Sequence, residues 1–169
     1  MRRGKAFTLI ELVVVIAIIA ILVAIVSPTA FRAIERARNS TTANDLKSIK
    51  TAAMSYNGDC SAWPATGSGP TYFMNNTGAV ATWDGPYLDR WPVARWSGGV
   101  YTFLNDSAVD WTGVAPGDSA RYVQLTSVPA ANSAAIDLIV DGTAGATSGF
   151  FRINGTTVYY LIDTAVVVN

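Results

Sequence analysis

Glu11 is the only charged side chain between Phe7 and Val26, a stretch otherwise built from Val, Ile, Leu, Ala, Phe and Thr. A carboxylate among aliphatic side chains is strongly unfavourable unless a cation answers it. The chemistry open to Glu11 is therefore electrostatic pairing. Asp137 and Asp141, followed by Gly142 and Thr143, form a second candidate group. Their oxygens suit a hard cation such as calcium. Ordinary turn chemistry is the simpler reading, because Asp-Gly is a common turn pair and two or three dispersed acids make a thin calcium site. The chain has no histidine, which removes the commonest general base and the commonest metal ligand. Its one cysteine, Cys60, has no partner for an intrachain disulfide. No phosphate loop and no Ser/His or Cys/His arrangement is present, so the sequence supports no enzyme activity.

The elements that must place Glu11 begin at the N-terminus. Arg2, Arg3 and Lys5 precede the apolar block, and Leu12–Val26 is a run without a polar side chain. A secretory signal peptide fits the basic start, but a cut after Ala30 would put Pro28 where a small residue is wanted. A soluble core helix would show a polar stripe, and none exists here. A plain membrane anchor has the required length of about 20 residues, but it leaves Glu11 unexplained.

The stretch Lys5-Ala6-Phe7-Thr8-Leu9-Ile10-Glu11-Leu12 accounts for that acid. It resembles the processing site of type IV prepilins and pseudopilins. The resemblance implies that residues 1–6 are a leader cut between Ala6 and Phe7 by a prepilin peptidase. It implies N-methylation of Phe7 and an assembly role for Glu11, paired with the Phe7 amine of a neighbouring subunit. The family usually has Gly before the cut, where this chain has Ala6, also small. Pro28, 21 residues after Phe7, stands where the family carries a helix-kinking proline; a proline there removes a helical hydrogen bond. Further partners implied are other pilins or pseudopilins, an inner-membrane assembly platform and its ATPase. The location implied is a single pass of the bacterial inner membrane, N-terminus in the cytoplasm and C-terminal domain outside it.

From Thr29 onward the spacing turns amphipathic. Phe31, Ile34 and Ala37 recur every three residues, and Leu46, Ile49, Ala53 and Tyr56 follow at threes and fours. This predicts one helix over about 7–57, about 75 Å long, with residues 7–27 in the membrane and 28–57 laid on a domain. The stretch Arg38–Thr42 lacks apolar side chains and reads as a joint. Asn57-Gly58 ends the helix.

Residues 58–169 are expected to form a β-rich domain, making the fold α+β: a long helix packed on an antiparallel sheet. Residues 58–99 read as an irregular αβ loop rich in Gly and Pro. Trp63, Trp83, Trp91 and Trp96 lie in it, and their large apolar area suits core filling. Strands are expected over 100–104, 121–128, 134–140, 149–153 and 157–162. Asn154-Gly155 marks a hairpin. Within the loop, Tyr87, Leu88, Pro92, Trp96 and Tyr101 resemble the major pseudopilins of type II secretion, although Ala94-Arg95 stand where that family has Asp-Pro. Net charge is zero, with 12 basic and 12 acidic side chains; nucleic acid is not indicated as a partner. Without residues 1–6 the basic count is 9 and the side chains sum to −3.

Overall fold

The computed structural model describes residues 7–67, 69–106, 120–143, 145 and 149–164. The leader, including Ala6, lies outside them. The elements run α1 (Leu9–Cys60), α2 (Gly69–Met74), β1 (Tyr101–Asp106), β2 (Ala120–Leu125), α3 (Ala130–Asp141), β3 (Phe151–Asn154) and β4 (Thr157–Thr164). The chain divides into two compact units, residues 1–37 and 38–169.

In the first unit α1 is apolar and exposed on every side. It is long and apolar enough to cross a membrane. A helix with no polar face has no place to rest in water, so its composition calls for lipid or other helices around it. Pro28 sits inside α1, which continues helically on both sides of it. The Thr29 hydroxyl donates to the Val26 carbonyl at 2.7 Å.

The second unit holds the sheet. All pairings are antiparallel and the strand order is β1-β2-β4-β3. One face supplies Phe103, Val123, Leu125, Val158, Tyr160 and Ile162 to a buried cluster. Ala43, Leu46, Ile49 and Ala53 of α1 fill the other side of it, at the spacing read from the sequence. The fold is thus the expected α+β arrangement.

One expectation is corrected here. The strand expected over 134–140 is the helix α3. Its burial falls at Ser133, Ile136 and Asp137, spacing three and one, which is a helical face. Alanines supply the propensity, Pro129 starts it from an extended backbone, and Gly142 ends it. Gly142 has φ 76° and its N–H reaches the Leu138 carbonyl at 3.1 Å. The β-branched Ile136, Ile139 and Val140 misled the strand reading, because tertiary burial at helical period outweighs weak β propensity.

The stretch Arg38–Thr42 is helical, as the continuous helix expected over 7–57 implies, and Asn39 and Thr42 are buried. The Asn132 amide donates to Asn39 Oδ1 at 2.8 Å, so the first turn of α3 answers the polar surface of α1. Phe31 and Ile34 belong to the first unit. Phe31 is 66% exposed and Ile34 48%.

Smaller differences follow the same physics. The 58–99 segment contains the short helix α2. Its Phe73 is buried between Trp91 (ring centroids 5.7 Å apart, stacked) and Phe103 (5.5 Å, edge-on). Trp63, Trp91 and Trp96 pack on the core as expected. Trp83 donates its Nε1–H to the Tyr72 carbonyl at 3.2 Å and stands edge-on to Tyr87. The β3–β4 hairpin is present, but Gly155-Thr156 is its central pair, one residue later than Asn-Gly. Gly155 has φ 61°, which suits a turn with glycine first.

Candidate assembly site

Glu11 occupies the third position of α1, and Thr8 caps it. The Glu11 Oε2 accepts from the Thr8 backbone N–H at 2.8 Å and from the Thr8 hydroxyl at 2.7 Å. In return the Glu11 N–H donates to Thr8 Oγ1 at 3.3 Å. This reciprocal pair is a capping box, which answers two amides that the first helical turn leaves without partners. An acid here also lies favourably against the positive end of the helix dipole. Phe7, immediately before it, is 81% exposed, and Phe7, Ile10, Val14 and Val15 form an open apolar surface beside the exposed Glu11.

The arrangement explains how a carboxylate is tolerated at the head of an apolar helix. Its own helix partly satisfies it, through neutral donors that leave its charge intact. Sequence reasoning located Glu11 and Phe7 but missed Thr8. The signal was present, since Thr-x-x-Glu ahead of an apolar run is the capping-box pattern.

Asp137 and Asp141 hold a turn rather than forming a cage. Asp137 is buried, and its Oδ2 accepts from the Gly145 N–H at 2.7 Å. Asp141 Oδ2 accepts from the Phe151 N–H at 3.0 Å, which covers an amide on the outer side of edge strand β3. Asp137 Oδ1 is buried without a partner. Among the described residues no third acidic, His or Cys side chain joins them. Calcium takes six to eight oxygens, and each of these two carboxylates is bonded to a backbone amide. Burial, with the Asp141 charge adding to it, raises the Asp137 pKa; the Gly145 amide and Arg152 oppose the rise. A carboxyl that ionises less readily folded than unfolded stabilises the fold fully below its unfolded pKa of about 3.9. That stability is lost as pH rises through the folded value. Asp137→Asn keeps an oxygen for Gly145 and removes the titration. Its stability relative to the parent should therefore increase as pH rises above about 4. Urea midpoints across that range check this, and a constant difference would refute it.

A cleft of about 350 Å³ lies between α1 and the 88–95 loop, lined by Asp45, Ser48, Asp89, Arg90, Trp91 and Arg95 among others. Its charges answer one another: Asp45 meets Arg95 at 3.5 Å and accepts from the Tyr101 hydroxyl at 3.3 Å. The lining contains no pairing of a nucleophile with a base.

Residues 1–27, which contain the capping box and the apolar run, match the prokaryotic N-terminal methylation motif. Residues 33–115 match the C-terminal region of PilW. The chain is a type IV pilin-like protein. No curated protein and no solved structure matches it. Families of this kind are structural, so the pilin-like chain is not an enzyme. The motif marks it as a prepilin of the kind that a peptidase processes, anchored by a single apolar helix. Prepilin peptidase and other pilins are the partners that the family implies. The loop whose Tyr87, Leu88, Pro92, Trp96 and Tyr101 resemble major pseudopilins falls inside the region matched by PilW.

Proposed function

We propose that this pilin-like chain is a subunit, of the minor-pilin kind, of a type IV pilus-like filament. The observation that carries the reading is Glu11: one carboxylate at the head of a helix otherwise uncharged from Phe7 to Val26. Removal of residues 1–6 between Ala6 and Phe7 creates a terminal amine four residues from that carboxylate. A prepilin peptidase makes the cut and methylates Phe7. In the membrane, Glu11 is held by Thr8. In a filament, the apolar helices pack on one another and the Glu11 of an incoming subunit meets the Phe7 amine of its neighbour. Either charge left alone in that core costs several kcal/mol, so pairing sets the axial register. Pro28 supplies a bend that lets the helix follow its neighbours.

An inner-membrane platform and an assembly ATPase supply the work of extraction. Until then the subunit spans the inner membrane, N-terminus in the cytoplasm and residues 38–169 outside it. The PilW match favours a pilus over a type II secretion pseudopilus. Intact-mass and N-terminal analysis of protein taken from its native membrane tests the reading. The expected product starts at Phe7 and carries one added methyl group. A product starting at Met1 in cells with active peptidase would overturn it, in favour of an anchored binding module that does not polymerise.

A further inference from the structure

The apolar run from Phe7 to Val26 has 20 residues. At 1.5 Å per residue that is about 30 Å, the thickness of a bilayer's hydrocarbon core. The helix does not end there. It continues through Phe31, Arg32, Ile34, Glu35 and Arg36, and both Phe31 and Ile34 are exposed. Arg32 and Arg36 are exposed and four residues apart, which puts them on one face of α1. Side chains on a helix lean toward its N-terminus, here back toward the span.

Distance along the helix decides what these arginines can touch. Arg32 lies six residues past Val26, about 9 Å of rise. The headgroup layer is roughly 5–7 Å deep on each side. An arginine stem leaning back from that height brings its guanidinium to the phosphates, with its methylenes along Phe31 and the helix surface. Arg36 is about one turn further out. It acts through the surface potential, within a Debye length of about 10 Å. Phe31, an exposed apolar ring one turn past the span, is suited to the headgroup boundary.

We propose that Arg32 and Arg36, with Phe31 as their apolar anchor, form a binding surface for the phosphates of anionic phospholipids at the C-terminal end of the span. The proposal rests on the membrane-anchored reading of α1. Guanidinium binds phosphate through paired N–H donors, and an anionic lipid adds net charge that a zwitterionic lipid lacks. Glu35 lies between the two arginines and brings the net charge of residues 32–36 to +1, so the selection is a few-fold rather than orders of magnitude. The arrangement gives the subunit a lipid-held resting position outside the bilayer core, from which extraction must detach it.

The test uses the full chain in vesicles of phosphatidylcholine and phosphatidylglycerol, with a Phe31→Trp reporter. Bromine is placed on the acyl chains of one lipid or the other. Subtracting the parent chain removes the signal of its five native tryptophans. Brominated phosphatidylglycerol should quench the reporter about two- to fivefold more efficiently than brominated phosphatidylcholine at equal content. Arg32→Gln with Arg36→Gln, in the same reporter, should abolish that difference. Equal quenching by both lipids would overturn the lipid assignment while leaving the anchor standing, with the arginines free for a carboxylate of another subunit. A bias that survives the double substitution would also overturn it. No quenching by either lipid would overturn the anchored reading itself.

Discussion

Glu11→Ala removes the subunit from sheared filaments by a factor of at least about a hundred, while its amount in the membrane stays near that of the parent. The size follows from stripping one partner from a charge pair in an apolar core, which costs about 3–5 kcal/mol. Two further variants separate the two bonds that Glu11 makes. Glu11→Gln keeps an oxygen for the Thr8 amide and hydroxyl but carries no charge. It should retain the helix start and lose incorporation as fully as the alanine variant. Thr8→Val keeps the charge and loses the capping hydroxyl, at a cost of about 0.5–2 kcal/mol in the first turn. Its incorporation should fall several-fold at most. The readout is the ratio of subunit in the filament fraction to subunit in the membrane fraction. Wild-type incorporation of the glutamine variant would sink the charge-pairing account.

The second large effect belongs to Phe73, which the sequence places in a loop and the structure places at the centre of the aromatic core. Its ring is fully buried and contacts Trp91, Phe103 and Tyr56. Its carbonyl accepts from the Tyr87 N–H at 2.8 Å. That bond ties the 83–92 loop to α2, and the Tyr87 hydroxyl, which donates to Asp59 Oδ2 at 2.9 Å, ties it to the end of α1. Phe73→Ala should lower stability by about 3–5 kcal/mol, since the aromatic neighbours are fixed on both sides and cannot close the gap. Thermal unfolding in mild detergent, followed by tryptophan fluorescence, should show a melting temperature lower by about 10 °C or more. Exposed Val93→Ala should leave it nearly unchanged. A small shift for Phe73→Ala would mean that the 69–92 segment is not part of the cooperative unit.

Linear order alone was enough for what depends on neighbours a few residues apart. An apolar run of membrane length, a single acid near its start and a proline past its end are all local patterns. So is the stripe Leu46, Ile49, Ala53 and Tyr56, whose helical period marked the buried face: the first three join the core under the sheet, and Tyr56 meets Tyr72, Phe73 and Tyr87. The capping bond of Thr8 was equally local and could have been read. The Gly155 turn was legible to within one residue, because a hairpin turn draws on a few residues in sequence.

What escaped the sequence depends on residues far apart. Asn39 looked like part of a joint because its partner, Asn132, lies 93 positions away. Segment 134–140 carries β-branched residues that suit a strand; burial of Ser133, Ile136 and Asp137 at helical spacing adds to the alanines and the Pro129 and Gly142 ends to make it a helix. Asp137 and Asp141 read as turn acids before calcium ligands, but the backbone amides of Gly145 and Phe151 that bond them were not legible in the sequence. Phe31 and Ile34 share the spacing of the buried stripe, yet they are exposed. Periodicity states that a face must be covered. Which faces the domain covers, and which are left for lipid or another subunit, depends on where the chain ends up in space.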